Sequence, residues 1–196
     1  MSKRFEDKVV IVTGSGSGIG ETTAIRFAEE GAKVIIADIN SETGKKISND
    51  INNKIGKSFF IETDVSDLNS VKNMVDETVK NFGSPDVLIN NAGINVFNEP
   101  LKMSIEEWKR AFSVDLDGVW FGCQSVLPYM VEKKKGAIVN LASVHAIQII
   151  PNCFPYPVAK HGVIGLTKAL AVDYAEKGIK INAISPGYTE TPILDR

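Results

Sequence analysis

The 196-residue chain sets 22 basic against 24 acidic side chains, a formal net charge of −2, and is 43% hydrophobic. That balance holds no clustered excess of Lys and Arg with which to neutralise nucleic-acid phosphates, and the apolar fraction argues against disorder. Two cysteines and two histidines, none at ligand spacing, exclude a disulfide scaffold and predict no metal site.

In chain order, the charged start is followed only by the strand-length apolar run Val9 to Val12, so no signal peptide is expected. Later β-branched or apolar runs are Val34 to Ala37, Ser58 to Ile61, Val87 to Ile89, Ala137 to Leu141 and Ile179 to Ile184. Several are apolar at consecutive positions, as strands covered on both faces are. Helical patterns alternate with them. Val71, Met74, Val75, Val79 and Phe82 fall on one helical face. Ser104 with Glu107 is a capping-box start before Trp108. Ser113 to Lys134 reads as one long helix interrupted by Gly118 and Pro128, with Lys133 to Lys135 as a solvated basic end. No apolar segment approaches the ~18 residues of a membrane span. The expectation is a cytoplasmic protein of one domain, 1–196, with no nucleic-acid or membrane partner. Strand–helix alternation predicts an α/β, Rossmann-type doubly wound parallel sheet in three layers, strand order 3-2-1-4-5-6, with the ligand at the carboxyl ends of the strands.

The first strand runs into Thr13-Gly14-Ser15-Gly16-Ser17-Gly18-Ile19-Gly20 and then a helix. Glycines here allow a positive-φ turn, close approach of backbone amides to a pyrophosphate, and close packing of helix on strand. The helix start offers free N–H groups and a favourable dipole. Asp38 ends the second strand, 18 residues past Gly20, close to the ~20 expected for a carboxylate that accepts hydrogen bonds from an adenosine ribose. That carboxylate would repel a 2′-phosphate, and no Arg or Lys stands in the turn or directly after it. NAD is therefore expected as cofactor rather than NADP.

The spacing of Gly14, Gly18 and Gly20 departs from the ordinary dinucleotide fingerprint and resembles the short-chain dehydrogenase/reductase family. Further motifs carry the resemblance: Asp64-Val65, Asn90-Asn91-Ala92-Gly93, Ser143, Tyr156-Pro157-Val158-Ala159-Lys160, Ser185-Pro186-Gly187, Thr189 and Thr191, in the family's order. The resemblance implies that the Ser15 to Ile19 turn lies along the pyrophosphate and that Asp64 and Val65 contact adenine. It further implies that Asn91, with Ala92 and Gly93, lies near the adenosine ribose, and that Pro186, Gly187, Thr189 and Thr191 close over the nicotinamide. Lys160 would bind the nicotinamide ribose.

The chemistry also follows from spacing. Tyr156 and Lys160, four apart, share a helix face. A neighbouring ammonium and the positive nicotinamide both favour phenolate, so the Tyr156 pKa is expected to fall from about 10 toward the working range. Tyr156 then exchanges a proton with an alcohol or carbonyl oxygen while hydride moves at its carbon. Ser143 hydrogen-bonds that oxygen. Asp115 stands where many family members carry an Asn that holds a water of the proton relay. It is expected to keep that role with altered pH dependence.

Members of the family run longer than this chain. The resemblance therefore implies that the substrate-covering loop and a seventh strand are absent, leaving Ile179 to Ile184 as an exposed apolar edge prone to aggregation. His145 and Asn152 are candidate substrate contacts beside Ser143 and Tyr156, while Ile149, Ile150 and Phe154 suit an apolar molecule. The reading is a dehydrogenase of a small secondary alcohol, sugar or ketone. Alternatives are reduction of a 3-oxoacyl thioester and, in another class, a non-catalytic dinucleotide-binding regulatory protein. By resemblance the chain forms a homo-oligomer, dimer or tetramer, through the long helix and the helix that bears Tyr156.

Overall fold

The computed structural model describes residues 3–191. Its sheet contains β1 (Val9–Thr13), β2 (Lys33–Asp38), β3 (Lys57–Glu62), β4 (Val87–Asn90), β5 (Gly136–Leu141) and β6 (Ile179–Ile184). The order is β3-β2-β1-β4-β5-β6 and every pairing is parallel, as the alternation of runs predicts. The helices are α1 (Gly18–Glu29), α2 (Ser41–Lys54), α3 (Leu68–Phe82), α4 (Ile105–Phe112), α5 (Gly118–Lys133) and α6 (Tyr156–Tyr174).

Side-chain alternation along the strands feeds two separate cores. Ile11, Ile35, Leu88 and Ile138 pack with residues of α3, α5 and α6, including Met74, Val126 and Val163. Their neighbours Val10, Val12, Val34 and Ile36 point to the other face and pack with Ala24, Ala28, Ile47 and Ile51 of α1 and α2. Each such Ile or Val contributes ~2 kcal/mol by leaving water. The chain reverses direction around the sheet between β1 and β4. A crevice forms at the carboxyl ends of these strands, where Thr13, Asp38, Asn90 and Leu141 lie.

Two local expectations change. Neither Gly118 nor Pro128 breaks the long helix: α5 begins at Gly118 and runs through Pro128. The interruption is a π-helical turn, Ser113–Asp117, between α4 and α5. Gly118 serves close packing, since a Cβ there would meet Val65 side-chain and backbone atoms at 3.0 Å. The second change concerns β6, which is not apolar throughout. Ile179 and Ile181 are buried on the α6 side, while Lys180 and Asn182 are exposed. Apolar character reaches solvent in this strand at Ile184, 53% exposed. Among the described residues β6 is the edge strand expected, but its outward face is mixed rather than apolar.

A buried polar chain fixes α6 against the sheet. Asn90 Nδ2 donates to Asn140 Oδ1 at 2.9 Å and Asn140 Nδ2 to Thr167 Oγ1 at 3.0 Å, joining β4, β5 and α6. Asn90 Nδ2 also donates to the Val119 carbonyl at 3.2 Å, which adds α5. Buried amides of this kind specify one packing because each must find its partner.

Candidate active site

An open cleft of about 840 Å³ runs across the carboxyl ends of the strands. At one end stands the glycine turn. Gly14 and Gly18 adopt φ of 63° and 58°, the left-handed region that costs other residues strain. A Cβ on Gly14 would lie 2.7 Å from Ala92 Cα, and one on Gly20 would strike the Gly14 carbonyl. Ser17 precedes α1 without a side-chain cap, so the first amides of the helix carry no side-chain partner there. Gly14, Ser17, Gly18 and Ile19 line the cleft.

Ser15 and Gly20 do not line it. Ser15 is fully buried; its hydroxyl donates to the Val12 carbonyl at 2.7 Å and accepts from Ala37 N at 3.0 Å. It ties the turn to β2 instead of facing a ligand. Asn91 lines the cleft, but its amide also braces the turn, donating to the carbonyls of Thr13 at 2.9 Å and Gly14 at 3.0 Å.

Asp38 lines the cleft at the end of β2. Its carboxylate accepts from Gly16 N at 2.7 Å and Asn40 N at 2.9 Å, and a Cβ on Gly16 would collide with it. Two backbone amides therefore fix the charge beside the turn. Asp64 and Val65 line the same end, with Asp64 Oδ1 held by Ser66 N at 2.9 Å and Ser66 Oγ at 2.6 Å. Ala92 and Gly93 follow β4 along the floor, and Pro186, Gly187, Thr189 and Thr191 follow β6 along the opposite rim.

Past this floor lie Ser143, after β5, and Tyr156, the first residue of α6. Ser143 hydrogen-bonds the phenol of Tyr156 and also accepts from His145 N at 3.2 Å. Lys160, one turn along α6, lies beneath. Its Nζ is 5.4 Å from the Tyr156 ring centroid, donates to the Leu141 carbonyl at 3.1 Å, and stands 4.0 Å from Asp115 Oδ1. Asp115 comes from the π-helical turn and is fully buried; Oδ1 accepts from Ile94 N at 2.9 Å, and Oδ2 has no partner among the described residues. A Cβ on Gly93 would sit 3.0 Å from Asp115 Oδ1 and 3.5 Å from Lys160 Nζ, so a larger residue would wedge this pair.

Burial governs the protonation of all three groups. It pushes Asp115 up to about 6, against the pull of Lys160 and the Ile94 amide. It pulls Lys160 down, with Asp115 opposing. Both partners move toward their neutral forms because neither is solvated. For Tyr156 the expected fall includes the pull of the positive nicotinamide; the protein's own groups push the phenol the other way, up to about 12. Desolvation is the main cause; the Ser143 hydrogen bond opposes it, and the charges of Asp115 and Cys153 reinforce it. Spacing alone reveals the ammonium four residues away, but not that both groups are buried or that a carboxylate acts on both, favouring the neutral phenol and the charged ammonium.

The outer wall is aromatic and apolar. Phe97 meets the Tyr156 ring edge-on at 5.9 Å, and His145 does so at 6.1 Å from another direction. Tyr188 lies 6.5 Å beyond His145. Ile147, Ile149 and Ile150 are exposed nearby in sequence. Asn152 does not reach the cleft; it is exposed, with φ of 63°, in the turn before Cys153. Cys153, part of the segment from Ile149 to Pro155 that the sequence places on the pocket wall, does line the cleft; so do Phe97, Arg110, Val114 and Tyr188, which sequence reading did not single out. Tyr188 lies between two chosen positions, and Arg110 and Val114 share a helical spacing. Phe97 carries no local signal, since a long-range bridge to Pro155 brings it in. Among the described residues no group of three or more His, Cys, Asp and Glu is placed to hold a metal, and no helix is long and apolar enough to cross a membrane.

Residues 8–196 match the family model for short chain dehydrogenase. A cyclohexanol dehydrogenase of Acinetobacter sp. (strain SE19) is 40% identical over 195 residues, covering 99% of this chain and 78% of the relative. A 3-oxoacyl-acyl-carrier-protein reductase of Thermotoga maritima is 39% identical over 193 residues, with 98% and 78% covered. The crystal structure of a levodione reductase superposes with a TM-score of 0.92 at 41% identity, covering 98% of this chain and 76% of that one.

Proposed function

This chain belongs to the short-chain dehydrogenase family, and from that premise we propose that it interconverts small carbocyclic secondary alcohols and their ketones with NAD(H), using Tyr156 as acid and base. As a family member it is an oxidoreductase acting on CH–OH groups with a nicotinamide dinucleotide. The observation that carries the proposal is the stack of Ser143, Tyr156 and Lys160 at the end of a cleft whose other end is a glycine turn and a helix start without a side-chain cap.

The residues fit the dinucleotide. Gly14 and Gly18 leave the turn bare, the first amides of α1 suit a pyrophosphate, and Asp38 suits the ribose hydroxyls. The amide-held carboxylate of Asp38 disfavours a 2′-phosphate, which supports NAD over NADP. Bound nicotinamide supplies or accepts the hydride.

The chain's own groups handle the proton. Tyr156 gives its hydroxyl proton to a ketone oxygen in reduction, becoming phenolate, and as phenolate takes the carbinol proton in oxidation. Ser143 donates a hydrogen bond to the same oxygen and stabilises its developing negative charge. A phenol held near 12 remains a proton donor throughout the neutral range, which favours reduction near pH 7. Lys160, anchored on Leu141, holds its ammonium beneath the ring, and its charge favours phenolate when oxidation requires it.

The carbocyclic substrate is supported by the aromatic and apolar wall of Phe97, His145 and Tyr188 and by the relative that acts on cyclohexanol. Reduction of 3-oxoacyl thioesters is the second reading, favoured by the Thermotoga relative. The same proposal includes a cytoplasmic homo-oligomer paired through α5 and α6, where Trp120, Val158 and Val172 are exposed. Calorimetric titration with NAD⁺ and NADP⁺, followed by assays on cyclohexanol and an acetoacetyl thioester, tests the reading. Preference for NAD⁺ with turnover of the alcohol is expected. Preference for NADP⁺, or turnover of the thioester alone, would overturn it.

A further inference from the structure

The chain has two histidines, and they are held in opposite ways. His161 Nδ1 lies 2.8 Å from the Pro157 carbonyl, a bond within one turn of α6 that gives the ring a structural place. His145 has no such bond. Among the described residues its Nδ1 is buried without a partner, and its Nε2 meets only the Cys153 thiol, at 3.9 Å. Yet the residue is only 8% exposed, and its ring stands edge-on to both Tyr156 and Tyr188, at 85° and 83°. A buried ring nitrogen without a good partner is costly, and folded proteins rarely leave one so.

The location offers a reason. His145 and Cys153 both line the cleft on the wall beside Tyr156. Cys153 is weakly engaged as well, its other contact being the Pro151 carbonyl at 3.7 Å. Sulfur is a poor hydrogen-bonding partner, so the site presents an imidazole and a thiol whose capacity is largely unspent. In the proposed reaction Ser143 and Tyr156 serve the reacting oxygen, and Phe97, which also packs edge-on to the phenol, is apolar. From these observations we infer that His145, backed by Cys153, is a second anchor for the substrate, and that the substrate is a carbocycle carrying a second oxygen besides the reacting carbinol, as a diol or hydroxyketone does. This rests on the alcohol dehydrogenase reading above. The second oxygen replaces the weak thiol contact at Nε2 and fixes which ring carbon faces the site of hydride transfer. A simple alcohol leaves the imidazole as poorly satisfied as it is now.

The test compares cyclohexanol with the 1,2-, 1,3- and 1,4-cyclohexanediols. At least one diol should exceed cyclohexanol in kcat/KM by about tenfold, mainly through KM, which is the scale of one well-placed hydrogen bond. His145→Leu should erase that ratio, and His145→Gln, which keeps a hydrogen-bonding side chain of similar reach, should restore part of it. Binding gives a reading independent of turnover. With Tyr156→Phe loaded with NAD⁺, calorimetry should show the preferred diol binding more tightly than cyclohexanol, and adding His145→Leu should remove the difference. Failure to oxidise any alcohol would count against the proposed function, and the binding comparison would still decide the role of His145. Equal affinity for diol and cyclohexanol, or a diol preference that survives both His145 variants, would overturn the inference.

Discussion

The two ends of the cleft are built by different means. The end proposed for the nucleotide is built from backbone: Gly14 and Gly18 supply positive-φ turns, α1 supplies amides, and Asp38 is held by two backbone N–H groups. At the substrate end the work falls to side chains delivered from β5, α6, the π-helical turn and a loop after β4, several of them buried without full solvation or pairing. The first design tolerates no added volume but little depends on protonation. The second tolerates changes of shape better, and its behaviour is set by where protons reside.

The sharpest way to test that division is Tyr156→Phe. Only a hydroxyl is lost, so the nucleotide end should remain intact, with NAD⁺ affinity changed less than about threefold. Turnover should fall by about 10³, the scale of acid–base assistance by one positioned group. Steady-state kinetics beside calorimetry measure both quantities. A parallel loss of NAD⁺ binding would show that the two ends are not separable.

Gly20→Ala probes the opposite end. Its Cβ would strike the Gly14 carbonyl and lie 2.5 Å from Asn91 Nδ2, so the turn must move. Overpacking against backbone costs ~2 kcal/mol, which denaturant unfolding will register, and NAD⁺ affinity should drop while Tyr156 and its neighbours are untouched. Unchanged stability and affinity would mean that the turn is far more yielding than the contacts imply.

The contrast also explains what the sequence makes legible. Glycines at positive φ, a carboxylate ending a strand and consecutive apolar runs each report a local constraint. The strand order and the location of Gly14, Gly18, Asp38, Ser143 and Tyr156 at one cleft therefore follow from spacing. Properties that depend on tertiary burial do not. The upward displacement of Tyr156 comes mainly from its burial, to which Asp115 of the π-helical turn adds, and nothing in Val114-Asp115-Leu116 announces that geometry. Phe97 is placed by a bridge to Pro155, far away in sequence. Ser15 errs in the other direction: its place in the motif suggests ligand contact, but its hydroxyl is consumed by Val12 and Ala37. Asn152 sits near Tyr156 in sequence, yet its turn carries it outward.

The smallest expected effect concerns Asp115 and is read from a slope. Its folded pKa of about 6 lies above the ordinary 3.8 of an aspartate. Between those values the folded protein keeps a proton that the unfolded chain has released. This group's contribution to stability is therefore complete below pH 4 and is lost as pH rises through 6. A displacement of that size corresponds to ~2–3 kcal/mol. Asp115→Asn removes the titration but also deprives Lys160 of its counter-charge, and leaving a buried ammonium unpaired is itself destabilising. The sign of the difference at a single pH thus mixes two effects. Its change with pH separates them once Lys160 is taken out: in a Lys160→Met background, Asp115→Asn should gain ~2–3 kcal/mol relative to Asp115 between pH 4 and pH 8. Denaturant unfolding at several pH values measures this directly. A flat difference across that interval would mean that Asp115 titrates alike in the folded and unfolded chains.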